Sequence, residues 1–358
     1  MTLRIGVDVG GTKILAVSVD DHGDEIARRR RPTGWGGDAV ADGVAAIVAD
    51  LAGSETDVAV GVGVPGQILP GSGVVEHALN LGIERYDLAE AVGARLGVRP
   101  SIDNDVRYAA VGARSLRPAG GSLAYLNLGT GVAAGIVDET GPRRGARGAA
   151  GEIGHIPIDP DGPRCRCGQY GCIEAFAGGG AVAERWGEAA PLPVLAVFDA
   201  ADAGDERAGA IRGDLVRGVA AGVRLLVLTT DVDVVVLGGG IAALADRLLS
   251  PVRAALAESA AASPFLRSLR LDQRVELVPR DVPVGALGAA VQAQASGSRC
   301  SVLSGASGNA AASSAVSQRA SAISAAALTD AGSSVIANAS ATTRKPGSFA
   351  ASDSNRPR

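Results

Sequence analysis

The chain begins with two runs of alternating apolar residues that meet at a pair of glycines. LRIGVDVGG (3–11) and TKILAVSVD (12–20) are rich in β-branched residues, and EIARRRRPT (25–33) follows them. Alternation with a period of two is typical of strands, and adjacent glycines favour a tight reversal of the chain. We therefore predict an antiparallel hairpin that turns at Gly10–Gly11, with a third strand whose arginine run forms a solvated edge.

Helical and strand patterns alternate along the rest of the chain. Helical spacing covers 38–53 and 86–97, an apolar strand covers 57–66, and a strand ending near residue 104 leads into a helix that reaches 116. The strand–glycine turn–strand pattern recurs at 122–139. Helical stretches to about residue 228, a buried strand within 232–242 and a closing helix at 283–296 come after it. Two glycine hairpins about 120 residues apart predict an internally duplicated α/β architecture.

Composition narrows the class of protein. The N-terminus has no signal-peptide pattern, and no run reaches the ~18 apolar residues that a membrane span needs, so we expect a cytoplasmic protein with reduced thiols. About half of residues 297–358 are Ala or Ser, which predicts a low-complexity, disordered tail that contains Cys300. Up to residue 295 the chain carries 36 acidic against 28 basic side chains, and this acidic balance argues against nucleic-acid binding.

Three of the four cysteines lie within eight positions of one loop. His155, Cys165, Cys167 and Cys172 form the pattern H-x9-C-x-C-x4-C, which supplies four ligands and no fifth. Such a set is typical of a closed, structural Zn²⁺ site, and the alternative is three buried free thiols beside a core histidine. Glu152 and Glu174 flank this loop and suit a hydroxyl-rich ligand, to which His155 could donate its second ring N–H.

Two glycine–threonine turns are candidates for phosphate binding. In DVGGTK (8–13) the backbone N–H groups could hold phosphate, with Thr12 and Lys13 alongside and Asp8 placed for Mg²⁺ through water. LGTGVAAG (128–135) is a second turn of this kind, and an ordinary glycine hairpin is the alternative for each. The chain has no GxxxxGK[ST] motif, and Pro65 and the β-like run after residue 134 argue against a dinucleotide fold.

Six motifs in order resemble the ROK family of bacterial sugar kinases over residues 3–296: DVGGTK, NDVRYAA, GTGVAAG, GEIGH, CxCGxxGCxE and VVLGGG. The resemblance implies an α/β fold of the actin-like/hexokinase ATPase type, with two α/β domains around a cleft. These would be a small N-terminal domain (1–112, completed by the closing helix 283–296) and a large C-terminal domain (113–282) with the zinc loop 155–172. It also implies a homo-oligomer, a dimer or tetramer.

The resemblance also implies roles for single residues. Asp105 would be the catalytic base that takes the proton of the sugar hydroxyl, and the alternative is that it only caps a helix, unless Asp103 does so. The residues implied at the sugar are Asn104, Glu152, His155, Glu174, Gly66 and Asn80. Those implied at ATP and Mg²⁺ are Asp8, Gly10, Gly11, Thr12, Lys13, Gly129, Thr130 and Gly131, with Gly238, Gly239 and Gly240 on the adenosine side.

The function we expect is ATP-dependent phosphorylation of a hexose, with glucose favoured by the resemblance over N-acetylglucosamine and N-acetylmannosamine. Two departures from the family pattern bear on ligand binding. Ala133 and Ala134 stand where many relatives have glycine, which could tighten the second turn and change the affinity for ATP. The Trp that follows Asn80 in many members is missing, which leaves the sugar preference open. A sugar-sensing regulator is the alternative of another class, and we expect no DNA-binding region before the motif at Asp8. Activity with a panel of hexoses separates these functions.

Overall fold

The computed structural model describes residues 2–69 and 71–293, so the predicted tail, Cys300 and the end of the closing segment lie outside the described residues. The described part contains thirteen strands, ten α-helices and four 3-10 turns. The strands are β1 (Leu3–Val9), β2 (Lys13–Val19), β3 (Glu25–Pro32), β4 (Val58–Val64), β5 (Gln67–Ile68), β6 (Val74–Ala78), β7 (Ile83–Asp87), β8 (Ser101–Asn104), β9 (Leu123–Leu128), β10 (Val132–Asp138), β11 (Gly141–Pro142), β12 (Val234–Gly238) and β13 (Val275–Leu277). The α-helices are α1 (Gly37–Ala52), α2 (Leu88–Leu96), α3 (Asp105–Ser115), α4 (Ile173–Ala177), α5 (Gly179–Trp186), α6 (Pro193–Asp202), α7 (Glu206–Thr230), α8 (Asp246–Ala260), α9 (Pro264–Leu269) and α10 (Val284–Gln292).

The first sheet has the strand order β3-β2-β1-β4-β8. β1 and β2 form an antiparallel hairpin in which Val9 is opposite Ile14, and β4 and β8 continue the sheet in parallel. Every residue of β4 is buried, as expected for a parallel strand covered on both faces. The predicted hairpin and its turn are confirmed, and the arginine run lies on the edge strand β3, where most of its residues are exposed.

The second sheet repeats this arrangement with the order β11-β10-β9-β12-β13. β9 and β10 form the antiparallel hairpin, and β12 and β13 extend it in parallel from β9. The predicted internal duplication is therefore confirmed. Each sheet ends its first hairpin in a glycine turn, and these are the two turns that the sequence suggests for phosphate.

A third, three-stranded sheet of order β5-β6-β7 was not predicted. Its strands are short, and Glu76, His77 and Arg85 interrupt any apolar alternation, so the sequence carries little strand signal. The 3-10 turn Leu79–Leu81 lies between β6 and β7 and presents Asn80.

Helix α10 packs closely against both the first sheet and α3 because small residues face it. A Cβ added at Gly6 of β1 would lie 1.9 Å from the carbonyl oxygen of Ala286, and one at Gly112 of α3 would lie 1.9 Å from that of Val284. The predicted closing helix thus packs on the first sheet, although it ends at Gln292; the domain boundary at residue 112 stays a prediction. None of the helices within the described ranges has the length and apolar character needed to cross a membrane.

Candidate active site

A cavity of about 560 Å³ opens where both glycine hairpins and the start of α3 meet. Ten of the predicted sugar and phosphate residues, together with Asp105, line it, which brings the motifs of both sheets to one place. They are Gly10, Gly11, Gly66, Asn80, Asn104, Asp105, Thr130, Gly131, Glu152, His155 and Glu174, and of these His155 is also a predicted metal ligand.

Asn104, rather than Asp103 or Asp105, caps helix α3. Its Oδ1 accepts hydrogen bonds from the backbone N–H groups of Val106 (3.0 Å) and Arg107 (3.2 Å). Its Nδ2 donates to the carbonyl oxygen of Gly66 at 3.1 Å, which ties the start of α3 to the turn after β4. Asn104 is therefore the N-cap, while Asp105 begins the helix and lines the cavity. Its role as the base stays a prediction.

The Asp105 carboxyl group has a raised pKa of about 6. Burial is the largest cause, the N–H of Val106 at 2.9 Å from Oδ1 works against it, and the charge of Glu152 adds to the increase. A carboxylate with this pKa is ionised at neutral pH and holds a proton more readily than an ordinary aspartate. Both properties suit a general base.

Asp8 lines a second cavity of about 220 Å³ that also contains Asp105. Burial and the neighbouring Asp105 raise the pKa of Asp8 to about 7, and Lys13 opposes this. Tyr125 and Asn127 share the wall, and burial raises the pKa of the Tyr125 hydroxyl. Two carboxylates that disfavour each other's charge form an environment that a divalent cation would stabilise.

Each glycine turn is closed by its own backbone. Gly10 N–H donates to the carbonyl oxygen of Lys13 at 2.9 Å, and Thr33 Oγ1 donates to the carbonyl oxygen of Gly10 at 2.6 Å. In the second turn Gly129 N–H donates to the carbonyl oxygen of Gly131 at 3.1 Å. These bonds hold both turns at the cavity in defined conformations.

Glu174 connects the metal loop to the second turn. Its Oε2 accepts a hydrogen bond from the N–H of Val132 at 2.9 Å, and a Cβ at Gly131 would lie 2.4 Å from the same oxygen. Gly131 is therefore required by the close approach of Glu174. Glu152 is exposed and lines the cavity directly before the 3-10 turn Ile153–His155.

The predicted metal ligands converge. The ligand atoms of His155, Cys165, Cys167 and Cys172 all lie within 4.8 Å of one another. Cys167 and Cys172 sulfurs are 3.7 Å apart, and His155 Nδ1 is 3.8 Å from Cys165 Sγ. Tetrahedral ligands at ~2.3 Å from zinc would be about 3.8 Å apart, whereas a disulfide requires about 2.05 Å. The donor set therefore fits tetrahedral zinc and does not fit a disulfide.

Gln169 was not predicted and supports these sulfurs. Its Nε2 donates to Cys167 Sγ (3.4 Å), to Cys172 Sγ (3.8 Å) and to the carbonyl oxygen of His155 (3.1 Å). The Gln169 bond lowers the pKa of the Cys167 thiol to about 6, while burial raises that of Cys172 to about 12. A bound cation would offset the cost of ionising the buried thiol.

Some predicted residues do not reach either cavity wall. Thr12, Lys13, Gly129, Gly238 and Gly240 are not among the lining residues, whereas Gly239 lines the smaller cavity. Gly238 packs against Tyr125, because a Cβ there would lie 2.0 Å from the Tyr125 hydroxyl oxygen.

Sequence reasoning also missed lining residues. Asn127 lines both cavities, and Gln67 and His77 line the larger one. Asn127 could have been found, because it is a polar residue in the otherwise apolar strand LAYLNL that leads into the second turn.

Comparisons with known proteins place these features in context. The model of the ROK family matches residues 4–295. The glucokinase of Streptomyces coelicolor is 34% identical over 274 residues, covering 71% of this chain and 86% of that enzyme. An N-acetylmannosamine kinase of Escherichia coli is 32% identical over 263 residues, covering 72% of this chain and 89% of that enzyme.

Among solved structures, a ROK family glucokinase from Streptomyces griseus in complex with glucose and AMPPNP matches with a TM-score of 0.68 at 28% identity. The match covers 81% of this chain and 99% of that one. The expected α/β fold of the actin-like/hexokinase ATPase type is thereby confirmed.

Proposed function

The chain belongs to the ROK family and is a sugar kinase, and from this premise we propose that it transfers the terminal phosphoryl group of ATP to a hydroxyl of glucose. The observation that carries the proposal is the shared cavity: Asp105, both glycine turns, Glu152, His155 and Glu174 line the same space. A polyol and a polyphosphate would therefore meet beside one carboxylate.

Asp105 is the base in this proposal. Phosphoryl transfer depends mainly on position and charge, so the protein must orient the attacking hydroxyl and accept its proton as the oxygen–phosphorus bond forms and ADP leaves. Asn104 fixes the start of α3 through its cap and its bond to Gly66, and this holds Asp105 in place. The raised pKa of Asp105 favours proton acceptance at that moment.

The sugar would be held by side chains from both sides of the cavity. Glu152, Glu174 and Asn80 offer hydrogen-bonding groups to hydroxyls, and Asn104 has one amide hydrogen left after its bond to Gly66. His155 would bind the zinc ion through Nδ1, which leaves Nε2 for a sugar hydroxyl.

The phosphates of ATP would bind at the two turns, Gly10–Thr12 and Gly129–Gly131, whose closed conformations favour contact through backbone N–H groups. Asp8 would hold Mg²⁺, whose charge would compensate the mutual repulsion of Asp8 and Asp105. Gly239 would face the adenosine side.

Zinc has a structural role in this proposal. His155, Cys165, Cys167 and Cys172 would hold it, and the ion would supply folding energy to the loop that carries the sugar contacts. Such a site requires reduced thiols, so the proposal includes a cytoplasmic location. A homo-oligomer, a dimer or tetramer, is part of the same proposal by family analogy.

The nearest alternative is an N-acetylhexosamine kinase. Identities of 34% to a glucokinase and 32% to an N-acetylmannosamine kinase differ too little to decide between these sugars. A sugar-sensing regulator is less favoured, because such a protein has no need of a carboxylate that shares a cavity with two phosphate turns.

A coupled ADP-release assay with glucose, mannose, N-acetylglucosamine and N-acetylmannosamine tests the proposal. We expect the highest kcat/KM with glucose and a loss of about 10³-fold in kcat for Asp105→Asn, with sugar affinity retained. If kcat/KM is higher with an N-acetylated sugar, that sugar and not glucose is the substrate. Near wild-type turnover by Asp105→Asn would refute the role of Asp105.

A further inference from the structure

Asp103 and Arg107 form a buried ion pair that the reaction itself does not use. Their side chains are each 3% exposed, and Arg107 Nε donates to Asp103 Oδ1 at 2.6 Å. A buried pair of this kind often contributes little net stability, because desolvation offsets the attraction. Stability alone therefore does not explain why this ion pair is buried here.

Along the chain, the two residues of the pair flank the proposed base, Asp105. Asp103 is two residues before Asp105 in β8, and Arg107 is two residues after it in the first turn of α3. Asp103 Oδ1 also accepts a hydrogen bond from the N–H of Asn104 at 2.8 Å, so the carboxylate braces the turn from strand to helix.

The same two side chains reach a distant loop. Arg107 Nη1 donates to the carbonyl oxygen of Gly148 at 2.8 Å, and Arg144 Nε donates to Asp103 Oδ2 at 2.7 Å. Residues 143–152 run from β11 to the Ile153–His155 turn, and Gly148, Ala149 and Glu152 from this segment line the larger cavity. We call it the cavity loop.

We propose that Arg107 is a positioning residue: through Asp103 and Gly148 it holds the cavity loop, and with it Glu152, at a set distance from Asp105. The inference rests on the proposed kinase function and deepens it. The planar guanidinium makes two bonds in different directions, one to each partner, which a lysine ammonium cannot reproduce at this site. The sugar would be oriented between walls whose separation Arg107 sets.

Arg107→Met and Arg107→Lys test the role by steady-state kinetics. Because loss of positioning by about 1 Å can cost about 10²-fold in rate, we expect kcat/KM for sugar to fall by about that factor in both variants. KM for ATP should stay within about twofold, since no atom of the two glycine turns bonds to Arg107 in the described residues. Equal losses for sugar and ATP would contradict a specific effect on the sugar side.

The acid limb of the pH profile separates the charge of Arg107 from the geometry of its two hydrogen bonds. The positive charge of Arg107 lowers the pKa of Asp105, whereas Glu152 raises it. Arg107→Met should therefore move the acid limb of kcat/KM to higher pH, and Arg107→Lys should leave it in place while still impairing sugar use. If Arg107→Lys keeps both the acid limb and the sugar kcat/KM of wild type, the charge alone is sufficient and the positioning role is wrong.

A double variant separates stability from position. Arg107→Met leaves the Asp103 charge buried with fewer partners, so Tm should fall, and Asp103→Asn/Arg107→Met should recover part of it. The sugar defect should persist in the double variant, because the bond to Gly148 is still missing. Recovery of sugar kcat/KM in parallel with Tm would overturn the proposal.

Arg95→Met is the matched control. Arg95 Nε donates to Asp42 at 2.6 Å and Nη1 to the carbonyl oxygen of Ala91 at 2.8 Å, the same two kinds of bond as at Arg107, but on α2 and away from both cavities. We expect sugar kinetics close to wild type.

Limited trypsin digestion gives a readout that needs no kinase activity. Arg143, Arg144 and Arg147 are exposed trypsin sites in the cavity loop. Cleavage there should be several-fold faster in Arg107→Met than in wild type or Arg95→Met, and unchanged cleavage would contradict the tether. If wild type phosphorylates no sugar, the kinase proposal fails, and digestion still decides whether Arg107 holds the loop.

Discussion

Asp8 and Asp105 face one cavity of about 220 Å³ from the ends of two different chain segments of the first sheet. Asp8 is near the end of β1 and Asp105 begins α3 directly after β8, so the sheet order β1-β4-β8 brings the two carboxyl groups together. Burial and mutual repulsion raise the pKa of Asp8 to about 7 and burial raises that of Asp105 to about 6. Two such groups titrate as a pair, and a bound cation favours the doubly ionised form.

Catalysis should therefore fail on the acid side of neutrality. A base must be ionised to accept a proton, so kcat/KM for sugar should fall with decreasing pH below about 6. Glu152→Gln removes a negative charge that raises the pKa of Asp105, and its acid limb should move to lower pH. The measurement is kcat/KM from pH 5 to 9. Glu90→Gln on α2 is the control, and its limb should coincide with that of wild type.

Asp8→Asn should stabilise the protein while impairing catalysis. The folded-state pKa of Asp8 is raised to about 7 from 3.8, so the stability associated with its neutral form is fully present below pH 3.8 and is lost as pH rises through 7. Without Mg²⁺, the stabilisation by Asp8→Asn should be larger at pH 8 than at pH 5, by about 1–3 kcal/mol. Chemical unfolding at both pH values measures it.

Asp20→Asn is the control, and at pH 8 it should change the stability of the protein in the direction opposite to Asp8→Asn. Asp20 accepts N–H bonds from His22 and Asp24 at 2.9 Å, and the Asp24 bond is the main reason that its pKa is lowered. The ionised Asp20 carboxylate therefore stabilises the folded protein at pH values above its unfolded-state pKa, and this contribution is lost as pH falls through the lowered folded-state pKa. Asp20→Asn should therefore lower Tm at pH 8, and a shared sign for both variants would contradict the burial argument for Asp8.

The features that could be predicted from the sequence are those whose geometry depends on residues close together in the chain. The Gly10–Gly11 and Gly129–Gly131 turns follow from closely spaced glycines between apolar strands, and the metal cluster follows from three cysteines within one loop. In each case a few neighbouring residues decide the local structure, so the pattern alone is sufficient.

The parts that were missed depend on contacts between distant segments. Arg107 bonds to Gly148, 41 positions away, and no periodicity links them. Gly238 ends the apolar strand β12, yet it packs on Tyr125 rather than lining a cavity. Which face of a strand a residue occupies depends on sheet pairing, and one sequence does not contain that information directly.

Removal of metal should inactivate the sugar site before the rest of the fold. Cys172→Ser removes one of four ligands, so bound zinc should fall below one ion per chain. KM for sugar should rise at least about tenfold, because the loop carries His155 and leads directly into Glu174. Zinc content by atomic emission and sugar kinetics measure this. Cys300→Ser is the single-cysteine control, as the sequence assigns that residue no ligand role. Full activity in a zinc-free preparation would defeat the metal hypothesis.

His77 combines a positive φ of 57° with a place on the wall of the larger cavity. For a residue with a Cβ the left-handed conformation costs about 1–2 kcal/mol, whereas glycine there loses about 0.5–1 kcal/mol of chain entropy. His77→Gly should therefore be neutral or stabilising by up to about 1.5 kcal/mol. Strain that persists beside a site is a reason to expect a contact with ligand, so we expect KM for sugar to rise several-fold in the same variant.

Arg270→Gly provides the comparison for His77→Gly. Arg270 has a φ of 49° and a ψ of 50° after α9, is exposed, and lines neither cavity. It should show the same relief of strain in thermal unfolding with no change in KM for sugar. If His77→Gly also leaves KM unchanged, the strain at His77 serves the β6–β7 sheet rather than the sugar, and the specificity of the cavity depends on its other lining residues.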